Sequence, residues 1–306
     1  MKKKILIVAG GYSNEREISL KTAKSVVKEL KKTKNYTINV VEPNGKFVEK
    51  IASFKPDVVL NLLHGRYGED GYIQALLETQ KVKYTHSGVL SSSLAIDKEI
   101  SKKIYKENKI LTPKYIKYKF KLKKDINILK RVEQQLSFPV VVKPINEGSS
   151  VNVFICQKKN LLNKLNKLRE YDEILIEKFI PGREIQVAII GNQKLGAIEL
   201  KPKRKFYDYE AKYNPKAKTE HLIPVDLSKK NYNRVTSIAL KAHRLLKCRG
   251  VTRSDFRFYN NKFYLLETNT QPGMTALSLV PEIAKHKNIS FGELINKIID
   301  DASFNK

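Results

Sequence analysis

A chain of 306 residues with 41% hydrophobic content has room for two or three lobes with real cores, and it contains no apolar run near the length of a membrane span. The formal net charge of +28 invites a nucleic-acid partner, yet the lysines are dispersed and few aromatic residues interleave with them to stack on bases. Neither nucleic acid nor a membrane is therefore expected as a partner; the positive field would still help to attract a small anionic ligand.

The N-terminus has a charged start, but its apolar run is short and broken at Gly10-Gly11, which reads as a first strand, Ile5 to Val8, rather than a signal peptide. Ser13 or Asn14 can cap the next helix, with Glu15 and Glu17 in its first turn and Ala23, Val26, Val27 and Leu30 at helical spacing. Strands follow at Tyr36 to Val41 and Val58 to Leu63, then a helix through Ile73, Leu76 and Leu77, then a strand near Tyr84. This alternation predicts a parallel sheet, in which ligands bind beyond the carboxyl ends of the strands. Glu15 and His64 both lie just past a strand end, and the run His64 to Gly71 is glycine-rich enough to be a shaped loop.

A helix from about Ala95 to Asn108 carries Lys98 near its start. The strand Phe138 to Pro144, with Lys143 near its end, the loop Asn146 to Ser150 and the alternating Val151, Val153 and Ile155 can present backbone N–H groups to phosphate. Leu161, Leu162, Leu165 and Leu168 mark an amphipathic helix, and Ile174 to Ile180 a strand that runs into Pro181-Gly182, a natural hinge. Two strands flank Gly191-Asn192-Gln193. The long tyrosine-rich stretch from Pro202 to Ala217 has the character of a lid. A helix through Tyr232 and Leu246 precedes a hairpin, and Phe291 to Ile299 forms a closing helix. The two cysteines, Cys156 and Cys248, have no metal-type spacing and suit a reduced, cytoplasmic setting.

The hairpin spans Arg253 to Asn269 around Asn260-Asn261-Lys262. Alternation puts Arg253, Asp255 and Arg257 on one face and Phe256 and Phe258 on the other. With a three-residue loop Asp255 lies opposite Glu267. A two-residue loop puts them on opposite faces unless a bulge restores the match. Asp255, Glu267 and Asn269 on one face would make a hard oxygen site suited to Mg²⁺; the same spacing also describes the solvated face of an edge hairpin.

The motifs taken together resemble the D-alanine–D-alanine ligases of the ATP-grasp family. They are Gly10-Gly11-x-Ser13-x-Glu15, His64-Gly65-x-x-Gly68-Glu69-Asp70-Gly71, Asp97-Lys98, Lys143-Pro144-x-x-Glu147-Gly148-Ser149-Ser150-Val151, Glu177-Lys178-Phe179, the Tyr207 to Tyr213 stretch, and Arg253-x-Asp255 with Glu267-x-Asn269-x-x-Pro272-Gly273. The resemblance covers nearly the whole chain. It implies an α/β chain with α+β lobes, a three-lobed ATP-grasp fold whose N-terminal lobe carries the parallel sheet. The lobes are expected at 1–94, 95–180 and 181–306.

The resemblance also implies the roles. Lys98 and Lys143 would hold the α- and β-phosphates of ATP, and the segment Glu177, Lys178 to Ile180 would read adenine. Glu184 would bind the ribose, and Lys212 would approach the γ-phosphate. Asp255, Glu267 and Asn269 would ligate two Mg²⁺, or Mn²⁺. Glu15, in a network with Ser149 and Tyr213 and with His64 nearby, would hold the first D-alanine. Arg253 and the backbone N–H of Gly273 would form an oxyanion hole, and Ser278 with the backbone of Leu279 would bind the second carboxylate. Two D-alanines would be joined through an acyl phosphate for peptidoglycan synthesis, by a homodimer in the cytoplasm. In relatives that make an ester with D-lactate, the tyrosine at the place of Tyr213 is missing, so that residue is expected to favour the amine. Another ATP-grasp carboxylate–amine ligase is the alternative, and a basic nucleic-acid-binding protein a more distant one. One position departs from the family: Asn152 stands where glycine is usual, and asparagine tolerates a positive φ better than most residues.

Overall fold

The computed structural model describes residues 2–120, 127–148, 151–202, 219–275 and 278–304. The chain opens with β1 (Lys3–Val8), α1 (Arg16–Leu30), β2 (Tyr36–Val41), α2 (Phe47–Phe54), β3 (Val58–Asn61) and α3 (Tyr72–Thr79). The strands form a parallel sheet in the order β2-β1-β3. β1 is apolar at every position from Ile5 to Val8 because both faces are covered. Ile5 and Ile7 pack among α1 residues such as Ala23 and Val26, while Leu6 and Val8 pack against Phe47, Ile51 and Leu77. The strand expected near Tyr84 is a single bridge: Tyr84 pairs with Val59 on one side and with Ser303 on the other.

Next come α4 (Val89–Ile96), α5 (Lys98–Glu107), β4 (Tyr115–Lys119), α6 (Ile128–Gln135), β5 (Val140–Pro144), β6 (Phe154–Cys156), α7 (Leu161–Asn166) and β7 (Glu173–Lys178). The four strands make an antiparallel sheet, β4-β7-β5-β6, over a core of Val132, Val142, Leu161, Leu168 and Ile176. Asp97 starts α5 by accepting the N–H groups of Glu99 at 2.9 Å and Ile100 at 2.8 Å. The expected boundary near residue 95 assigns this helix to the central lobe, but its packing places it with the C-terminal sheet. Tyr105 is fully buried among Ile185, Ala239 and Leu265, and its hydroxyl donates to Thr268 at 2.9 Å. The apolar face of α5 decides this, and the charged face is left to meet the central sheet.

The C-terminal lobe holds β8 (Arg183–Ile190), β9 (Gln193–Lys201), β10 (Glu220–Leu222), α8 (Lys229–Leu245), β11 (Val251–Tyr259), β12 (Lys262–Asn269), α9 (Leu279–His286) and α10 (Phe291–Asp300). Its antiparallel sheet runs β10-β9-β8-β11-β12. One face buries Ile185, Val187 and Phe256 beneath α8. The other face contributes Ala188, Ile198 and Leu200 to a core shared with α9, α10 and β1, so the last helices return to the N-terminal sheet. Among the described residues, no helix is long and apolar enough to cross a membrane.

The hairpin register resolves by the bulge. Tyr259 pairs with Lys262, so the loop is the two residues Asn260 and Asn261, both left-handed at φ 47° and 56°. The pairing then shifts between Asp255 and Phe256: Phe256 faces Leu265 while Asp255 faces Glu267. One extra residue, Leu266, returns the two carboxylates to opposite positions on one face.

Candidate active site

Three sheets converge on one cleft. Arg253, Asp255 and Arg257 point into it from β11, and Glu267 and Asn269 from β12. Arg253 grips both oxygens of Asp255, at 2.8 and 3.0 Å. Arg257 donates to the carbonyl of Ile180 at 3.0 Å and to Glu184 at 3.1 Å, which fixes the start of β8 beside the Pro181-Gly182 hinge. Gly182 is required there: its φ is 96°, and an added Cβ would sit 2.3 Å from the carbonyl oxygen of Phe258.

A chain of buried charges lies on the other wall. Lys98 and Lys102 project from one face of α5, as four-residue spacing dictates. Lys98 Nζ donates to the carbonyl of Glu147 at 2.5 Å and lies 3.6 Å from Glu267. Lys102 is fully buried; its ammonium lies 3.1 Å from Glu177 Oε1 and donates to Thr112 at 2.8 Å. The second oxygen of Glu177 holds Lys143 at 3.0 Å. Burial pushes the Lys102 ammonium down to about 8, and it lowers Lys98 as well. Burial alone would raise Glu177, but the ammonium groups of Lys102 and Lys143 outweigh it and hold the carboxyl below its ordinary value. This cleft is further lined by Val141, Val151, Val153, Lys178, Phe179 and Ile180, an apolar slot with cations at one end.

The slot opens onto a second, more polar pocket at the parallel sheet, lined by Glu15, His64, Glu69, Arg253, Thr270 and Gly273 among others. Lys98, Glu147 and Glu267 line both. Glu15 is buried at the start of α1. Two glycines make room for its carboxylate: a Cβ on Gly65 would lie 2.8 Å from Glu15 Oε2, and one on Gly148 would lie 3.2 Å from it. His64 is also buried, with Nδ1 3.4 Å from Glu69 and Nε2 3.3 Å from the Thr22 hydroxyl. At the far end Ser278 precedes α9. Its hydroxyl accepts the N–H of Thr275 at 3.1 Å, and a Cβ on Gly273 would come within 3.1 Å of it. The first amides of α9, from Leu279 on, form the N-terminus of a helix, which favours a carboxylate.

The structure therefore gathers Glu15, His64, Lys98, Lys143, Glu177, Lys178, Ile180, Glu184, Arg253, Asp255, Glu267, Asn269 and Gly273 around two joined pockets. Ser278 lies beside Gly273, with Leu279 next to it. The expected roles of Ser149, Lys212 and Tyr213, and the lid, lie outside the described residues. Sequence reasoning passed over Lys102 and Gln271, and it placed Arg257 on the hairpin's face without giving it a role. Gln271 accepts from Asn61 at 2.8 Å and donates to the carbonyl of Leu63, so it ties the exit of the β11–β12 hairpin to the parallel sheet. An amide closing the apolar run of β3 was the available signal for Asn61; nothing local marks Lys102 among so many lysines.

Residues 104–300 match the family model described as D-ala D-ala ligase C-terminus. The chain belongs to the D-alanine–D-alanine ligase family. It is 66% identical over 306 residues to the D-alanine–D-alanine ligase of Pelagibacter ubique, with 100% of both chains covered. It is 43% identical over 305 residues to that of Wolbachia pipientis wMel, covering 97% of this chain and 94% of the relative. In structure it is similar to the crystal structure of the D-alanine–D-alanine ligase from Bacillus anthracis complexed with ATP. The TM-score is 0.84 at 31% identity, over 98% of this chain and 97% of that one.

Members of this ligase family use ATP with Mg²⁺, and the donor set fits the ion. Asp255 and Glu267 are hard anionic oxygens paired across the hairpin, and Asn269 adds an amide oxygen. Each carboxylate leans on a protein cation, Asp255 on Arg253 and Glu267 on Lys98, which marks the spot as one that calls for positive charge.

Proposed function

We propose that this chain joins two D-alanine molecules into D-alanyl-D-alanine at the expense of ATP, releasing ADP and phosphate, for peptidoglycan synthesis. The observation that carries the reading is the sharing of Lys98, Glu147 and Glu267 by the two pockets, which brings the triphosphate end of one to the carboxylate end of the other.

In this reading adenine lies in the slot by Phe179 and Ile180, with Glu184 on the ribose. Lys98 and Lys143 neutralise the phosphates, and Asp255, Glu267 and Asn269 would hold Mg²⁺, which would supply further charge neutralisation. Glu15 binds the ammonium of the first D-alanine and aims its carboxylate at the γ-phosphorus. An oxygen of that carboxylate takes the phosphoryl group and ADP leaves. The amine of the second D-alanine, which has lost its proton, attacks the acyl carbon; its carboxylate rests on Ser278 and the N-terminus of α9. Arg253 and the Gly273 N–H receive the charge on the tetrahedral oxygen, each such donor being worth about 2.7–4 kcal/mol. Collapse expels phosphate, which carries off the remaining proton shed by the amine nitrogen, and leaves the amide. Ser149 and Tyr213 complete the Glu15 network and Lys212 meets the γ-phosphate in this proposal. The three lobes, with a lid over the acyl phosphate, keep water away.

We place the enzyme in the cytoplasm as a homodimer; two free thiols, Cys156 and Cys248, support a reducing setting. The test is phosphate release from ATP over a panel of D- and L-amino acids, with product identified by mass. Release that depends on D-alanine and yields the dipeptide is expected; equal release with every amino acid, or none with D-alanine, overturns the reading. Light scattering tests the dimer.

A further inference from the structure

The loop between β5 and β6 is held at both described ends. On the entry side the Glu147 carbonyl accepts from Lys98 Nζ at 2.5 Å. On the exit side the Val151 N–H returns to the Gly148 carbonyl at 3.1 Å, and the next residue, Asn152, is left-handed at φ 56°. Asparagine tolerates this angle better than most residues, but less freely than glycine, so a side-chain partner helps to hold it. The holder lies just before β7: Asn152 Nδ2 donates to the Tyr171 hydroxyl at 2.9 Å. Tyr171 is itself fixed. Its N–H donates to the carbonyl of Leu168 at 3.0 Å, Leu168 is fully buried in the central core, and the Tyr171 ring packs against that core. Burial also raises the phenol above its ordinary value, so it stays a neutral acceptor. Val151 and Val153, on either side of Asn152, line the nucleotide slot.

We propose that Tyr171 is a positioning residue for ATP: through Asn152 it fixes the exit of the β5–β6 loop against the central core, so that Val151 and Val153 shape the slot before the nucleotide arrives. This rests on reading the slot as the ATP site. A glycine at 152 would accept the backbone angle without strain but would leave the loop untied. Asparagine supplies both the angle and the tie.

The experiment compares the full-length parent with Tyr171→Phe, Asn152→Gly, the double variant and Asn152→Asp. It records KM for ATP and for D-alanine, the thermal midpoint, and direct ATP–Mg²⁺ binding by calorimetry. Loss of one hydrogen bond predicts a rise in ATP KM of roughly three- to tenfold in Tyr171→Phe and in Asn152→Gly, with D-alanine KM unchanged. The double variant should be no worse than either single one, because both break the same contact. Asn152→Asp keeps ATP KM near the parent value, with the phenol now donating to the carboxylate. Three results overturn the proposal: an ATP KM within about twofold of the parent in Tyr171→Phe, effects that multiply in the double variant, or ATP and D-alanine KM rising together with a fall in thermal midpoint. A parent that binds ATP but forms no dipeptide would instead sink the functional reading, and calorimetry would still decide the role of Tyr171.

Discussion

Replacing Lys102 by methionine tests whether α5 sets both of the lysines proposed to hold phosphate, Lys98 and Lys143. Lys98 stands on α5 itself, and Lys143 is linked to α5 through Glu177 and Lys102, at 3.0 and 3.1 Å. The side chains of Lys102 and Glu177 are 0% and 2% exposed, so solvent screens neither. Removing one partner of such a pair costs about 3–5 kcal/mol, because the remaining charge stays buried. Glu177 keeps Lys143, which puts the expected loss near 3 kcal/mol. At about 2–4 °C per kcal/mol for a large domain, the thermal midpoint should fall by roughly 6–12 °C. Adding Glu177→Gln to Lys102→Met moves the stranded charge to the buried Lys143, so the double variant should recover little of the stability. It should not recover ATP binding, since Lys143 then has no carboxylate to hold it; ATP KM should stay about tenfold or more above the parent, the scale of a hydrogen bond to a charged group. Thermal unfolding and steady-state kinetics on the two variants decide the matter. A Lys102→Met protein melting within about 2 °C of the parent, or a double variant with parental ATP KM, refutes the reasoning.

Asp255→Asn and Glu267→Gln should each abolish dipeptide formation in a protein that still folds, as read by circular dichroism and product mass; near-normal turnover at ordinary Mg²⁺ would dismiss the metal site. His243, hydrogen-bonded to Thr252 at 2.8 Å, is pushed by burial from 6.5 down to about 4. The fold therefore holds the neutral ring while the unfolded chain takes a proton, so this contribution is complete above pH 6.5 and is lost as pH falls towards about 4. The slope approaches about 1.4 kcal/mol per pH unit, and His243→Asn should flatten the stability profile in that window; an unchanged profile in denaturant titrations counts against it. Gly182→Ala should lower stability by about 1–3 kcal/mol through its left-handed backbone and the clash with Phe258. An unaltered midpoint in urea would mean that the hinge relaxes freely.

Local pattern was enough for the parallel sheet around Ile5 to Val8, the helix carrying Lys98, and the hairpin with its alternation of Arg253, Asp255 and Arg257. In the helix and the hairpin a local period separates a face that must be buried from one that need not be, and in the sheet an unbroken apolar run marks a strand covered on both faces. The motifs likewise named the residues that the two pockets bring together, and Asn152, standing where the resemblance implies glycine, was compatible with the left-handed backbone it adopts. The tertiary structure decided what local pattern leaves open. α2, α4, α6 and α9 are short, and their apolar stripes are too brief to stand out in the sequence; packing against a finished sheet makes them helices. The register of the hairpin depended on the bulge at Leu266, because a two-residue and a three-residue loop fit the same string. α5 went to the C-terminal sheet because Tyr105 finds its pocket and Thr268 there. Lys102 is one of many lysines in the chain. It becomes the anchor of Lys143 only because α5, from one lobe, meets β7 of another and excludes water from both charges, and a contact between distant segments leaves no periodic trace in either.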